Sequence, residues 1–453
     1  MTETAEHTRQ ASRKARHDVS RASAGDSLRI ALEVLAPTLA RGILARRPRV
    51  AAAAEKIDAD RRAGRLLRRL RAKYGPGPLR LWSPLRSIAL IWSEEDVRRV
   101  LEGAPEPFAV ASREKRAALW HFQPHGLLTA RGAERADRRR FNEAVLDTAR
   151  PVHRHGDLIA SKVADEATGL MAGTGTLTWD DFRVAWWRVI RRVVLGDAAR
   201  DDDRVSDLLT RLRMEANWAF VPRRPQIYRE FRRCLDEYVR AAEPGSLAEL
   251  VATTPATERT KPQDQMPQWL FAFEPAGMAA YRALALLAAH PEQARRAYEE
   301  IEGRDLSKPQ DLPFLRACVQ ESVRLWPTTL AILRDTTTET GWDGGTLPEG
   351  TALLIPTAFV QRDEETLPYA DTFAPDVWLD GTAGRNWAAI PFSGGPGECP
   401  GRDLVLLTTS QFLAHLLAGH TYRQTAGRRL SPDRPLPRTL GPFRIEFEVG
   451  RRA

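Results

Sequence analysis

Apolar positions recur at helical spacing along most of the chain. An arginine-rich helical pattern covers 51–73 and stops at the turn Tyr74-Gly75-Pro76-Gly77-Pro78. Two strand-like runs, Leu79–Trp82 and Ser87–Trp92, are split by Ser83-Pro84 and predict a hairpin. Ser93 and Asp96 form a helix-start pair, with a helix predicted toward Leu101. Residues 108–128 lack periodicity and predict a loop. Helical patterns resume near Gly132 and continue to about Val239, interrupted by Val221-Pro222-Arg223-Arg224-Pro225. A polar loop over 253–267 precedes a long apolar helix, Gln268–His290, and a further helix covers Leu312–Leu325 before Pro327. Residues 330–360 change to strand and turn patterns, and a last helix is predicted over Gly401–Ala418.

Residues 1–26 are polar and mixed in charge and predict a disordered arm. No repeat and no linker divides the rest, so 27–453 is predicted to form a single domain, mainly α with small β-sheets. Residues 28–45 are membrane-like, but Arg29, Glu33, Arg41 and Pro37 interrupt them. They predict an amphipathic helix packed on the body rather than a transmembrane segment. The net charge is +9, but the arginines are interleaved with acids and no nucleic-acid motif is present. The charge points to an acidic protein partner, with no nucleic acid expected. Three cysteines, Cys234, Cys318 and Cys399, are too few for a disulfide framework and suggest a reducing, cytoplasmic setting.

One of them sits in Pro391-Phe392-Ser393-Gly394-Gly395-Pro396-Gly397-Glu398-Cys399-Pro400-Gly401, a glycine-rich loop just before a helix. Glycine lets the backbone approach a flat ligand, and a helix N-terminus favours thiolate over thiol. The loop resembles the haem-ligand signature of the cytochrome P-450 family, with Phe392, Gly395, Cys399 and Gly401 at matching positions. Glu321 and Arg324, three apart on one helix face, are similar to that family's Glu-x-x-Arg pair, which is structural. The resemblance extends over roughly 74–450.

That resemblance implies the cytochrome P-450 fold, haem b (iron protoporphyrin IX) and an iron ligated by Cys399. By position, Arg135, Arg139 and Arg334 look like propionate-binding arginines; a guanidinium fork suits a carboxylate. The implied function is a haem-thiolate oxidoreductase, a monooxygenase acting on an apolar small molecule in secondary metabolism. No flavin, nicotinamide or iron–sulfur motif is present, so a separate ferredoxin-type donor is implied, and the protein is expected to be a monomer. Implied substrate contacts are Trp120, Phe122, Trp218, Phe271, Phe273, Ala276, Leu330 and Ile332.

Four departures stand out. Gly397 replaces the family's usual Arg or His near a propionate, so another group takes that carboxylate or it faces water. Val377 replaces the arginine that usually joins Glu321 and Arg324, which predicts a reduced network. Arg135 replaces a common Trp or His. The usual acid–threonine pair falls on Glu274-Pro275, with a register open to one residue. No Ser or Thr occurs from Asp264 to His290, so the usual hydroxyl is absent in either register. Proline frees the Phe271 carbonyl and is expected to kink the helix, so proton delivery shifts to water, to Glu274 or to the substrate. Peroxide-driven oxidation, coupling or rearrangement is therefore an alternative, and a non-catalytic haem sensor is another. Glu274 would repel a carboxylate, which ranks fatty-acid peroxygenation low.

Overall fold

The structure is a computed structural model and describes residues 19–173, 175–218 and 220–452. Helices dominate, as the periodicity predicts. Five of them, Gly132–Val145, Gly156–Met171, Trp179–Leu195, Asp203–Ala216 and Pro225–Ala241, fill the first helical stretch. The proline-rich interruption separates the last two. Met266–Ala289 and Arg402–Leu417 are apolar on nearly every side, and nearly every side is buried, as expected of core helices. The stretch Pro262–Ala289 is long and apolar enough to span a bilayer, yet 78% of its apolar window is buried inside the fold.

The predicted hairpin is present. Leu79–Leu81 pairs antiparallel with Ile88–Leu90. Ile88–Leu90 runs parallel to Ala352–Ile355, which pairs with Ile332–Thr336, and Phe108–Ala109 completes a five-stranded sheet. Thr176–Thr178, Glu446–Arg451 and His420–Ala426 form a second sheet. Ser93 caps the helix Glu94–Glu102 by accepting from the Asp96 N–H.

Two expectations change. Residues 1–18 of the predicted arm lie outside the described residues, but 19–26 belong to the fold. Val19 and Ala22 are buried, Ser20 and Ala22 exchange backbone bonds with Arg80, and a helix starts at Ala24. The predicted loop 108–128 contains the strand Phe108–Ala109 and the helix Arg113–Leu119, whose Lys115 N–H is capped by Ser112. Charged residues at four of the first four positions of that helix hid its short apolar stripe.

The interior has two apolar clusters. One is the helical core around Met266–Ala289, and the other covers the five-stranded sheet. The cysteine loop lies at their seam. Gly395 touches Leu101 of the sheet cluster, while Gly401 faces Leu146 of the helical one.

Candidate functional site

The cysteine loop is fixed by its own backbone. The Cys399 N–H donates to the Phe392 carbonyl at 3.0 Å, and the Glu398 N–H donates to Gly395 at 3.0 Å. Gly395 has φ +59°, and a Cβ there would come within 2.4 Å of the Leu101 oxygen, so glycine is required. Gly401 differs. Its φ is −96°, and an added Cβ would meet only Leu146, at 3.6 Å. Protein packing alone does not demand glycine there, and the missing side chain leaves room for a flat ligand against the loop. Burial pushes the Cys399 thiol up, while the Gly401 N–H and the guanidinium groups of Arg139 and Arg402 favour the thiolate.

Arg139 is not a free carboxylate binder. It is paired with Glu143 at 2.5 Å and donates to the Glu398 carbonyl at 2.5 Å, which braces the loop against its helix. Its predicted propionate role gives way to this structural one, with a secondary effect on the sulfur.

Behind the loop, Glu321 and Arg324 are wholly buried and joined by two bonds of 2.6 and 2.8 Å. Arg324 also donates to the carbonyls of Gln361, Tyr369, Ala370 and Thr372. Both Glu321 oxygens have further donors: the Ala374 N–H at 3.0 Å and the Trp378 indole N–H at 3.0 Å. The reduced network predicted from Val377 is therefore not seen. The indole one residue later supplies the donor that the missing arginine would have given.

Near the loop stand three cations, Arg334, Arg135 and Lys115, with no carboxylate in contact among the described residues. Arg334 is 2% exposed; it donates to Ser393 Oγ at 3.2 Å and its Nε has no hydrogen-bond partner among the described residues. Arg135 is buried and donates to the Pro396 carbonyl at 3.2 Å, and its Nη1 likewise has no partner. Lys115 donates to the Val110 carbonyl at 2.8 Å. Loss of hydration, with Arg334 and Arg135 beside it, pushes Lys115 well below the ordinary lysine range. Burial, with Arg135 beside it, lowers Arg334 to about 10. The nearby Asp335 is already engaged by Arg86, Arg131 and the Arg113 N–H. Buried charge left without a partner costs several kcal/mol per ion, so this cluster is built to receive anions. Sequence reasoning found Arg135 and Arg334 but missed Lys115, because it read 108–128 as a loop.

On the opposite side, Met266–Ala289 continues as α-helix through Pro275. Proline gives no N–H to the Phe271 carbonyl, as predicted, without ending the helix. Gly277 lets Trp186 lie against the helix, where its indole N–H donates to the Phe273 carbonyl at 2.7 Å; a Cβ at 277 would fall 2.4 Å from that ring. Glu274 is not a free acid either. Its carboxylate pairs with buried Arg213, which also lies over the Phe271 ring.

Comparisons with known proteins now bear on this geometry. The family model described as cytochrome P450 matches residues 273–434, which include Glu321, Arg324 and Cys399. Over that segment the chain is similar to the cytochrome P450 family. It is 32% identical over 172 residues to a cyclooctat-9-en-7-ol 5-monooxygenase of Streptomyces melanosporofaciens, covering 36% of this chain and 37% of that protein. It is 31% identical over 156 residues to a drimenol monooxygenase of Persicaria hydropiper, covering 32% and 31%. These matches span only about a third of the curated relatives' length. Over nearly the whole fold, it is similar to the retinoic acid-bound cyanobacterial CYP120A1, with TM-score 0.68 and 17% identity, covering 85% of this chain and 94% of that one.

Haem b is the cofactor of cytochromes P450, and the residues present fit it. Cys399 would offer the sulfur ligand, Gly401 leaves room for the ring, and the partnerless donors of Arg135 and Arg334, with Lys115 beside them, would suit two propionates. A Cβ at Gly397 would stand 2.8 Å from Arg334 Nη2, so the missing side chain makes way for that guanidinium. Lys115, on the Val110 carbonyl and beside Arg334, would offer a further cation near this part of the loop.

The predicted substrate contacts divide. Phe122, Phe273, Ala276 and Ile332 are buried, Phe271 and Leu330 half-buried, and Phe271 meets Phe122 edge-on at 5.7 Å. Trp120 and Trp218 are instead 51% and 63% exposed. Trp120 ends its short helix facing outward under Arg223, and Trp218 lies under Arg47. Arginine stacking, not burial, covers these two rings, which residue type alone could not reveal.

Proposed function

We propose that this protein is a haem-thiolate monooxygenase that oxidises an apolar small molecule with electrons from a separate donor. The observation carrying this is the Cys399 loop, on which Arg135 and Arg334 stand buried with no carboxylate in contact among the described residues, together with the wholly buried pair Glu321–Arg324. When bound, thiolate-ligated haem supplies oxygen activation, the thiolate pushing electron density toward the iron and favouring O–O cleavage. The chain's own work is to hold and shield. Gly401 and Arg139 tune the sulfur; Lys115, Arg135 and Arg334 orient the cofactor; and Phe122, Phe271, Phe273 and Ala276 keep the open side dry and apolar. Two relatives are named for oxidising cyclooctat-9-en-7-ol and drimenol, and the structural neighbour holds retinoic acid, which supports an apolar substrate from secondary metabolism. A net charge of +9 suits an acidic ferredoxin-type donor. All three cysteines are free thiols, which suits a monomer in a reducing cytoplasm.

The test is spectroscopic and then kinetic. Reduced protein with carbon monoxide should give the long-wavelength band of thiolate-ligated haem, and Cys399→Ser should abolish it. A protein that stays colourless with ample haem precursor sinks the proposal. Turnover with ferredoxin, its reductase and NADH is expected.

A second reading is favoured by one observation: Pro275 stands where the hydroxyl is expected, and neighbouring Glu274 is tied to Arg213. With no free proton donor at that point of the helix, peroxide-driven oxidation, coupling or rearrangement becomes the alternative. Turnover with hydrogen peroxide alone, faster than with ferredoxin, would select it.

A further inference from the structure

Four arginines, Arg41, Arg46, Arg282 and Arg438, line one small cavity beside the central helix, together with Asp60. Its volume is about 50 Å³, room for one or two groups of water size. Two of these arginines have their carboxylates. Arg41 forks onto Asp60 with two bonds of 2.7 Å, and Arg438 is held by Asp371 and Glu364. The other two have none in contact. Arg46 donates to the Gly42 and Thr328 carbonyls. Arg282 is 9% exposed, donates to the Trp326 carbonyl at 3.2 Å, and leaves its Nε without a partner among the described residues.

Nearby acids, Asp60 and Glu55 among them, act on this charge only at a distance, with none in contact among the described residues. Glu274 is taken by Arg213, and Glu55 accepts the Gly441 N–H at 2.9 Å. Burial, with neighbouring arginines, lowers Arg46 to about 10 and Arg282 to about 9. Two guanidinium groups, Arg282 buried and Arg46 half-buried, thus share a small, partly enclosed space with no carboxylate in contact among the described residues, which is costly until an anion enters. The rest of the wall is apolar apart from Thr439, whose hydroxyl donates to Asp60. Met278 lies one turn beyond Pro275, and Leu330 leads into the strand that carries Ile332 and Arg334. The same helix and strand also carry Ala276 and Ile332 of the predicted substrate wall.

We propose that Arg46 and Arg282 bind the carboxylate of the substrate, so that the preferred substrate is an apolar molecule carrying an acid at one end. This rests on the monooxygenase reading for the fate of the ligand, but not for its binding. Repulsion by Glu274, expected from sequence, is cancelled by Arg213.

Calorimetry on the holoenzyme with dodecanoic acid, abietic acid and their methyl esters tests it, alongside the spin-state shift of the haem. The acids should bind at least about tenfold more tightly than their esters, since charge-assisted pairing is lost in the ester. Arg282→Met and Arg46→Gln should each erase that preference while leaving ester affinity unchanged. Arg46 lies in a connecting segment, so its variant keeps the question answerable if the helix variant fails to fold. Equal binding of acid and ester, no binding of either acid, or a preference that survives both substitutions overturns the proposal. Acetate bound as tightly as the long acids also overturns it, because the site would then serve any small anion. If acid selectivity holds but the carbon monoxide spectrum lacks the thiolate band, this proposal stands and the functional reading falls.

Discussion

The two sides of the cofactor site are held by different forces. On the cysteine side, directional bonds between buried charges fix the backbone: Glu321 accepts four hydrogen bonds, and Arg324 donates to Glu321 and to four carbonyls. On the open side, the central helix is held mostly by apolar contact, with the ion pair Arg213–Glu274 and scattered single bonds such as Trp186 to Phe273, Trp269 to Asn142 and Tyr281 to Ile445. Directional bonds permit one geometry, whereas apolar contact tolerates many residues of suitable volume. The cysteine side therefore keeps the cofactor, and the open side is where chemistry and substrate can differ.

The largest effect should come from breaking the cysteine side at its centre. Glu321→Ala leaves Arg324 buried without its carboxylate, at a cost of about 3–5 kcal/mol. Haem content after purification and the urea midpoint should both fall sharply. Next comes Trp378→Phe, which removes only the indole N–H from Glu321 Oε2. A buried acceptor losing its donor costs about 1–3 kcal/mol, visible as a lower urea midpoint at unchanged slope. An unchanged midpoint would show that Trp378 does not replace the arginine missing at Val377. Lys115→Met should act mainly on the cofactor. Haem transfer to apomyoglobin should accelerate by about tenfold, in line with one lost charge-assisted bond of about 1.4 kcal/mol, while Lys115→Arg should largely restore retention.

This contrast also explains what the sequence could disclose. Cys399, Glu321 and Arg324 were legible because their surroundings need fixed backbone: Gly395 cannot carry a side chain against Leu101, and residues three apart share a helix face. The long helices were legible because they are apolar all round. The rest depends on contacts far apart in the chain. Lys115 meets Arg334 across more than two hundred residues, Arg213 meets Glu274 across about sixty, and Trp378 finds Glu321 from a separate segment. None of these pairs leaves a local pattern. The exposure of Trp120 and Trp218 was hidden for a related reason. An aromatic residue is equally at home in a core or under an arginine, and only tertiary structure chooses.

The smallest structural change proposed is also the sharpest test of the open side. Pro275→Thr restores a backbone N–H to the Phe271 carbonyl and adds a hydroxyl at the expected position. Proline inside a helix is about 3 kcal/mol less favourable than alanine, and threonine well under 1. The substitution should therefore raise stability by up to about 2 kcal/mol, less whatever local adjustment already accommodates the ring. Its chemical effect should run in the same direction. If proton delivery is limited by the missing hydroxyl, peroxide released per electron consumed should fall several-fold with the thiolate spectrum unchanged. A rise in melting temperature without any change in coupling would separate the two roles. Proline would then be tolerated by the helix for reasons of packing, and protons would reach the reaction from the substrate or from water without help from residue 275.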